Sequence, residues 1–389
     1  MSDSSHNLAV RNGRVLLADG RIETCDLLIE RGIISRIGGG TSGRPEIDAS
    51  GCSVLPGLID LHVHGIGRES CSLGRLDEIA RIEASRGATA FYPTLFAPPE
   101  EIKSQLERHR RESDELRLTP QAVGFRLESP YLADASGGLP RDCAPISDRL
   151  TEMLLEAGGG HIKIWDVSPE LGGAPRQITK LTSLGIVVAM AHTSASIDQA
   201  ANAVEAGTRL VTHLFDTFRL PVETEPGAYP AGLVDYLLVE DRLTCEIIGD
   251  GTHVHPLLVE KAFRCKTPER LAFVTDSNLG AGLPPGRYEL PMGWGLAEVS
   301  GPNDGVRLVD RGMELCGSAL TPIDAFRNAI RLFGKDLWTA SRVCSRTPAR
   351  LMGLNKGEIA EGRDGDIIVL DEALDLVCTV VGGEVVYRR

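Results

Sequence analysis

The chain has 389 residues, of which 42% are hydrophobic and 24% are charged, so it is long enough to bury a large core. Its formal net charge of −13 at pH 7 disfavours nucleic acid or an anionic membrane as the main partner, because clustered Lys and Arg side chains hold both. Polynucleotide-binding and membrane-surface functions are therefore excluded as first interpretations.

The cysteines and the N-terminal segment indicate the cellular compartment in which the protein is expected. The nine cysteines are scattered, and none forms a Cys-x-x-Cys pair, so neither a disulfide framework nor a cysteine zinc site is indicated. There is no basic segment followed by an apolar one at the N-terminus and no run of 18 apolar residues. We therefore expect a cytoplasmic protein with reduced thiols, no signal peptide and no membrane span.

Short strands separated by glycine-containing turns are predicted near both ends of the chain. Asn-Gly, Asp-Gly and Gly-Gly pairs between runs of this length are typical of antiparallel sheets. We predict that residues 1–55 and 351–389 together form one small β-sandwich domain. Its strands are residues 7–10, 14–18, 25–30, 33–37, 366–370, 376–381 and 384–387.

Residues 56–350 alternate apolar, strand-like runs with amphipathic, helix-like stretches, which is the pattern of a parallel sheet with crossover helices. Eight strands close a (β/α)8 TIM barrel, so we predict an α/β fold with such a barrel. A stretch rich in Gly and Pro, residues 279–311, is expected to add a small β insertion over the barrel mouth. The candidate barrel strands are residues 57–62, 88–93, 122–127, 162–167, 186–191, 210–214, 245–248 and 271–275.

Two histidines, separated by one residue, stand at the end of the first candidate barrel strand. In Leu61-His62-Val63-His64 they stand at i and i+2, so both imidazoles leave the same face of a strand. Two adjacent neutral imidazoles suit a divalent metal such as zinc. A histidine pair in a polar loop or in a satisfied core is the alternative.

Further polar residues lie at the carboxyl ends of the later strands, where the active site of such a barrel is found. Taken singly, each has a structural alternative: an ion pair of Glu128 with Arg126, a core histidine beside an apolar strand, or a helix cap at Asp276. Because five of the nine histidines fall at strand ends, a metal site is favoured. The set is Glu128 after the third strand, His192 after the fifth, His213 within the sixth, Asp250 and His253 after the seventh, and Asp276 after the eighth.

Asp276 also has a catalytic interpretation. A carboxylate beside a metal-bound water can accept its proton and later return it to a leaving amine. No Gly-x-Ser-x-Gly elbow, P-loop or dinucleotide fingerprint occurs, which excludes serine hydrolases, P-loop NTPases and Rossmann enzymes.

These motifs resemble those of a known enzyme family over nearly the whole chain. The stretch from Pro56 to Gly65 is similar to the signature of the amidohydrolase superfamily. The resemblance narrows to the N-acetylglucosamine-6-phosphate deacetylase family through Leu127-Glu128-Ser129-Pro130, Ala191-His192-Thr193, Thr212-His213-Leu214-Phe215, Asp250-Gly251-Thr252-His253 and Val274-Thr275-Asp276.

The resemblance implies roles for these residues. Glu128, His192 and His213 would hold the principal metal ion, and His62 with His64 would support a second. The expected cofactor is a divalent metal, most simply Zn²⁺, as one or two ions. Asp276 and His253 would be catalytic, with His253 also contacting substrate, and a homodimer is expected.

Departures from the family pattern lie near the substrate. A site without the family's Arg offers the phosphate no bidentate partner, and an Asp added to that site repels the phosphate. We therefore expect a metal-dependent amidohydrolase that acts on a small-molecule N-acyl, most simply N-acetyl, substrate that is not a phosphorylated sugar. The predicted substrate-binding residues are His253, Asp216 and Thr217 in place of Asn-Ala, Thr224 in place of an Arg, and Gly138 with Leu139 in a stretch that lacks the family's histidine.

Two alternatives remain open. One is deacetylation of N-acetylglucosamine 6-phosphate itself, with another residue such as Arg219 holding the phosphate. The other is a catalytically silent barrel that serves as a scaffold. The second is disfavoured because every metal and base position of the family pattern is filled.

Overall fold

The computed structural model describes seven ranges of the chain. None of the helices in them has the length and apolar character that crossing a bilayer requires. The described residues form two eight-stranded sheets, one four-stranded sheet and one short hairpin. The ranges are 6–39, 46–116, 121–135, 140–218, 225–228, 230–291 and 293–389.

Both ends of the chain contribute to one eight-stranded sheet, as predicted. Ser53–Pro56 pairs with Ile367–Leu370 in antiparallel register, with Val54 opposite Val369, and this pair joins the two ends. Val10, Val15 and other apolar side chains of the sheet pack into a core of their own. The domain boundaries at residues 55 and 351 stay a prediction. The strands are Leu8–Leu16, Ile22–Glu30, Ile33–Ile37, Glu46–Asp48, Ser53–Pro56, Ile367–Leu370, Leu376–Val381 and Glu384–Arg388.

The first of these strands corrects our prediction of two strands separated by a turn at Asn12-Gly13. Leu8–Leu16 is continuous, and its register with Ile22–Glu30 shifts between Val10 and Gly13. Asn12 has a φ of 60°, so this residue alone adopts the left-handed backbone, and it does so within a bulge rather than in a hairpin.

The second large sheet is the predicted barrel, with neighbouring strands parallel throughout. A parallel bridge between Val63 and Ser277 links the eighth strand region to the first, so the barrel is nearly closed. This confirms the predicted α/β class and TIM-barrel architecture. Barrel strands 1 to 8 are Leu58–Val63, Ala88–Leu95, Phe125–Leu127, Ile162–Val167, Val187–Met190, Leu210–Val211, Thr244–Ile248 and Leu271–Val274.

Helices alternate with the barrel strands, and their ends follow local rules. In Asp148–Gly158, the Ser147 hydroxyl accepts the Leu150 N–H at the start, and Gly159 ends the helix with a φ of 55°. Its buried face presents Leu154 and other small or apolar side chains to the barrel. The α-helices are Leu76–Ala84, Pro99–Leu116, Asp148–Gly158, Ala174–Ser183, Ile197–Ala206, Leu233–Val239, Pro256–Cys265, Pro322–Arg331, Leu337–Ser341 and Thr347–Leu351, with a π-helical turn at Arg342–Arg346.

The predicted β insertion after strand 8 is confirmed as a four-stranded antiparallel sheet. Leu290, Trp294 and Leu315 of this insertion line the same cavity as the histidines at the strand ends. The insertion thus lies at the barrel mouth, where it bounds the candidate site. Its strands are Gly286–Leu290, Gly295–Val299, Val306–Leu308 and Glu314–Leu315, and a separate hairpin pairs Gly65–Ile66 with Glu69–Ser70.

Candidate active site and metal centre

The paired histidines of barrel strand 1 meet Asp276, which follows strand 8. The Nε2 atoms of His62 and His64 lie 3.1 Å apart, so both rings leave the same side as predicted. Asp276 Oδ1 lies 3.3 Å from His62 Nε2 and 3.2 Å from His64 Nε2. The Asp276 N–H donates to the His62 carbonyl over 2.9 Å, which connects the two strand ends.

A second group forms around Glu128, which follows strand 3. Its Oε1 lies 3.0 Å from His192 Nε2 and 3.2 Å from His213 Nε2. Its Oε2 lies 2.9 Å from His64 Nε2 and 3.2 Å from His62 Nε2. Glu128 therefore stands between the two groups and contacts all four imidazoles.

The backbone turns sharply at three of these positions. His192, His213 and Asp276 have φ values of 43°, 26° and 49°, in the left-handed region that non-glycine residues rarely adopt. Such backbone cannot continue a β ladder, and strand 6 accordingly ends at Val211. Our placement of His213 within the sixth strand was therefore wrong, because this residue follows the strand.

The carboxylates set the charge of the site. Burial opposes their ionisation, yet His62 and His64 hold the pKa of Glu128 well below its usual value and also lower that of Asp276. Burial likewise opposes protonation of the imidazoles, but their contacts with Glu128 raise the pKa of His64 to about 9 and that of His213 to about 10. The field at the strand ends thus favours positive charge.

The donor set fits a divalent metal ion. The ligand atoms of His62, His64 and Asp276 all lie within 4.8 Å of one another, and the same is true of Glu128, His192 and His213. Two imidazole nitrogens and one carboxylate oxygen per group are ligands that catalytic zinc sites use, with a position left open. Apart from His64, which is partly exposed, these residues are buried among apolar barrel strands, which adds the dry surroundings of such sites.

His253, after strand 7, is held by a neighbouring carboxylate. Its Nδ1 lies 2.6 Å from Asp250 Oδ2, and Asp250 Oδ1 accepts the backbone N–H groups of Thr252 and His253, each over 2.9 Å. Burial opposes protonation of His253, but Asp250 raises its pKa overall. With Nδ1 engaged, Nε2 is the ring nitrogen left for a ligand in the cavity.

A cavity of about 250 Å³ joins most of the predicted residues. His62 lies beside the cavity, where its Nε2 contacts Asp276 of its own ligand group and Glu128 of the other group. Among the described residues that line the cavity there is no Lys or Arg. Thr224, Gly138 and Leu139 lie outside the described residues, whereas the predicted residues that line the cavity are His64, Glu128, His192, His213, Asp216, Thr217, His253 and Asp276.

Sequence reasoning missed two parts of the site. Phe96 after strand 2 and Trp294 in the insertion line the cavity, with ring centroids 6.1 Å apart, and no motif signalled them. The proposed ion pair of Glu128 with Arg126 was wrong, because the Arg126 guanidinium contacts Asp166 and Glu246 instead. Those acidic residues stand within strands whose apolar character was the only signal available.

No family model matches the chain, whereas several proteins do over most of their length. The N-acetylglucosamine-6-phosphate deacetylase of Lysinibacillus sphaericus is 28% identical over 393 residues, which is 97% of each chain. The N-acetylgalactosamine-6-phosphate deacetylase of Shewanella sp. is 26% identical and covers 100% of this chain and 98% of its own. A variant of the Mycobacterium smegmatis N-acetyl-D-glucosamine-6-phosphate deacetylase, solved with N-acetyl-D-glucosamine-6-phosphate, has a TM-score of 0.85 at 27% identity over 98% of this chain and 99% of its own.

The comparisons correct one expectation and confirm another. Our expectation that the substrate is not a phosphorylated sugar is wrong, since the relatives named above act on N-acetylhexosamine 6-phosphates. It relied on the lack of an Arg at Thr224, on the negative charge of Asp216 and on the lack of a histidine near Gly138, but hydroxyl and backbone N–H groups also bind phosphate. The predicted reaction class, hydrolysis of carbon–nitrogen bonds other than peptide bonds, is confirmed. The resemblance predicted from the sequence is confirmed, because over nearly its whole length the chain is similar to N-acetylglucosamine-6-phosphate deacetylases, enzymes of the amidohydrolase superfamily.

Proposed function

We propose that this protein hydrolyses the acetamide of N-acetylglucosamine 6-phosphate to acetate and the free amino sugar phosphate. The observation that carries the proposal is that the two metal-ligand groups, one of which contains Asp276, meet at a single cavity. His253 lines the same cavity. Similarity over 97% of the chain to a deacetylase of this sugar phosphate supports the choice of substrate.

We propose zinc as the metal, held by Glu128, His192 and His213, with a second ion at His62, His64 and Asp276. A divalent ion bound here supplies Lewis acidity, which polarises the amide carbonyl and lowers the pKa of water toward neutrality. Nitrogen-rich ligand groups favour zinc over magnesium or calcium, which prefer oxygen ligands.

Asp276 is the proposed general base and acid. Its carboxylate accepts a proton as the water oxygen attacks the carbonyl carbon, and it returns that proton to the amine nitrogen when the carbon–nitrogen bond breaks. The lowered pKa of Asp276 keeps this carboxylate ionised before the reaction. Its location between His62 and His64 places it within the proposed second ligand group.

His253 is the proposed partner of the substrate carbonyl. Asp250 holds its Nδ1 and so fixes the direction of the ring. From Nε2 the ring donates a hydrogen bond that orients the carbonyl and stabilises the oxyanion as charge develops. Substituting Asp250 is therefore expected to reduce turnover through His253.

For the sugar and its phosphate we propose contacts on the loop that follows strand 6. Asp216 and Thr217 line the cavity, and Thr224 would contact the sugar from the same loop. Arg219 is the proposed phosphate ligand, because it follows Thr217 closely in the sequence and the described lining of the cavity holds no guanidinium. Gly138 and Leu139 are proposed as further contacts of the sugar.

Acetate release tests the proposal directly. N-acetylglucosamine 6-phosphate, N-acetylgalactosamine 6-phosphate and unphosphorylated N-acetylglucosamine are compared with the zinc-loaded enzyme. We expect the highest kcat/KM for the first and a large loss without phosphate, and R219A should lower kcat/KM for the phosphate by roughly 10- to 100-fold. Failure to release acetate from either phosphate would contradict the proposal.

We propose two further properties, an oligomeric state and a cellular location. A homodimer is expected from the family resemblance, and light scattering on the purified protein measures it. A cytoplasmic location is consistent with nine free thiols, and cell fractionation tests it.

A further inference from the structure

A fully buried ion-pair layer lies one step further into the barrel than the metal-ligand groups. Arg126 stands two residues before Glu128 on strand 3, and its guanidinium meets carboxylates from strands 4 and 7. Nη1 lies 2.6 Å from Glu246 Oε1, while Nη2 and Nε lie 3.0 and 3.2 Å from the two oxygens of Asp166. All three side chains are inaccessible to solvent.

The layer holds the backbone and side chains next to two metal ligands. Arg126 Nη1 donates to the Leu61 carbonyl over 3.1 Å, and Nη2 donates to the Thr212 hydroxyl over 2.9 Å. Leu61 directly precedes His62, and Thr212 directly precedes His213. The guanidinium therefore fixes strand 1 and strand 6 at the point where each presents an imidazole.

Glu246 contacts the same two ligands directly. Its Oε2 lies 3.6 Å from His62 Nδ1 and accepts the His213 backbone N–H over 3.4 Å. His62 Nδ1 is buried and has no hydrogen bond among the described residues, and the Glu246 carboxylate faces it at 3.6 Å. A neutral imidazole has one proton, and a carboxylate at Nδ1 holds it there, which leaves the lone pair of Nε2 for a metal.

The layer contains two carboxylates and one guanidinium, so one carboxylate is more than a neutral ion pair needs. Arg126 and Asp166 form a bidentate pair that is neutral by itself. Glu246 adds a second buried negative charge, which is costly in a dry interior unless another cation compensates it. Glu246 is also the carboxylate beside His62, on the side of the metal-ligand groups.

We propose that Glu246 is a positioning residue for the metal centre, which orients His62 and selects its Nδ1–H tautomer. Arg126 holds Glu246 in place for this task. The consequence is tighter binding of a divalent cation by His62, His64 and Asp276. The inference rests on the metal centre of the proposed function but not on its substrate.

The experiment is a zinc titration of the full-length protein after removal of metal with a chelator, read by a competing chromophoric chelator. E246Q, which keeps size and removes charge, should weaken zinc binding by about 10- to 100-fold. D166N is the matched control, because it alters the same buried layer and the same Arg126 without touching an imidazole. It should lower thermal stability and change zinc affinity far less than E246Q.

A double-variant cycle separates positioning from general damage. In an H62Q background, E246Q should weaken zinc binding no further, since the imidazole through which it acts is gone. Unchanged zinc affinity in E246Q, an equal loss in D166N, or an undiminished effect of E246Q in the H62Q background would each overturn the proposal.

A measurement on the unaltered chain covers the case in which E246Q does not fold. Nitrogen-15 NMR of the zinc-loaded, histidine-labelled protein, with His62 identified by its missing signals in H62Q, should show a proton on Nδ1 and zinc on Nε2. A proton on Nε2 would overturn the proposal. A wild-type protein that binds no divalent cation would overturn both this inference and the proposed metal centre, whereas the E246Q outcomes affect the inference alone.

Discussion

Three site residues adopt backbone conformations that are costly for side chains with a Cβ. His192, His213 and Asp276 each have a positive φ, which costs on the order of 1–3 kcal/mol per residue. Surrounding hydrogen bonds hold them there: the Asp276 N–H donates to the His62 carbonyl over 2.9 Å. The strain thus aims side chains from three strands at one point, which ordinary strand geometry would not do.

Asp276 provides the sharpest test at the residue scale. D276N removes the proton acceptor while keeping size, so acetate release should fall by roughly 10²- to 10⁴-fold or more. Zinc bound by Glu128, His192 and His213 should remain, and metal analysis by mass spectrometry measures it. D241N, at an exposed position, serves as control. Unimpaired turnover in D276N would remove Asp276 from the mechanism.

Glu83 gives a test of stability against pH. Its side chain is fully buried, and neither carboxylate oxygen has a hydrogen bond among the described residues. Burial, with a smaller contribution from Asp60, raises the pKa of Glu83 well above its usual value of 4.5. The folded state therefore retains a proton that the unfolded state releases, so stability falls as pH rises from about 4.5 toward the raised pKa.

E83Q removes that loss, because an amide does not ionise. We expect E83Q to raise the melting temperature relative to wild type at pH 8 and to change it less at pH 5. E78Q on the same helix, whose carboxylate side chain is 41% exposed, should show no such pH dependence. Calorimetry at the two pH values measures the difference, and an equal effect of E83Q at both would contradict the assignment.

At the scale of elements, the bulge in Leu8–Leu16 determines how the terminal sheet packs. The register shift at Gly13 lets this strand pair with Ile22–Glu30 on one side and Ser53–Pro56 on the other. A Cβ at Gly13 would lie 2.4 Å from Val54 Cγ2, closer than real contacts allow. Close approach of two strands therefore requires glycine here.

G13A should lower the free energy of unfolding by about 1–3 kcal/mol, because Val54 must move. G172A is the matched control, since its added Cβ would meet no atom within 4 Å and its backbone is not left-handed. Denaturant unfolding measures both variants. Equal stability of G13A and wild type would show that the sheet accommodates the added methyl group without strain.

At the scale of the whole molecule, the barrel interior carries excess negative charge. Glu128, Asp276, Asp166 and Glu246 face one buried guanidinium, Arg126, when the imidazoles are neutral. Such an excess in a dry core is destabilising unless cations compensate it. A divalent cation at the strand ends would therefore stabilise the fold as well as supply chemistry, because its ligands come from strands 1, 3, 5, 6 and 8.

Metal removal tests this coupling. Chelation should abolish acetate release and lower the melting temperature, and added zinc should restore both. At zinc concentrations of 100 times Kd the stabilisation is about 2.7 kcal/mol. An E128Q variant, which loses a shared ligand, should show a much smaller response to zinc. A wild-type melting temperature that does not respond to zinc would contradict the coupling.

Local patterns determined much of this protein. The alternation of apolar strands with amphipathic helices predicted the barrel, and the i, i+2 spacing of His62 and His64 predicted their shared face. Both are short-range properties that neighbouring residues express by themselves. The family motifs also identified Glu128, His192, His213 and Asp276 as one set.

Only the tertiary structure decided which charges meet. Arg126 contacts Asp166 and Glu246, which lie 40 and 120 residues away along the chain, rather than the nearby Glu128. The same holds for Trp294, which reaches the cavity from the insertion, and for the bulge that replaces a predicted turn. Side chains distant in sequence become partners only when strand order and register are established, and local propensity carries no information about either.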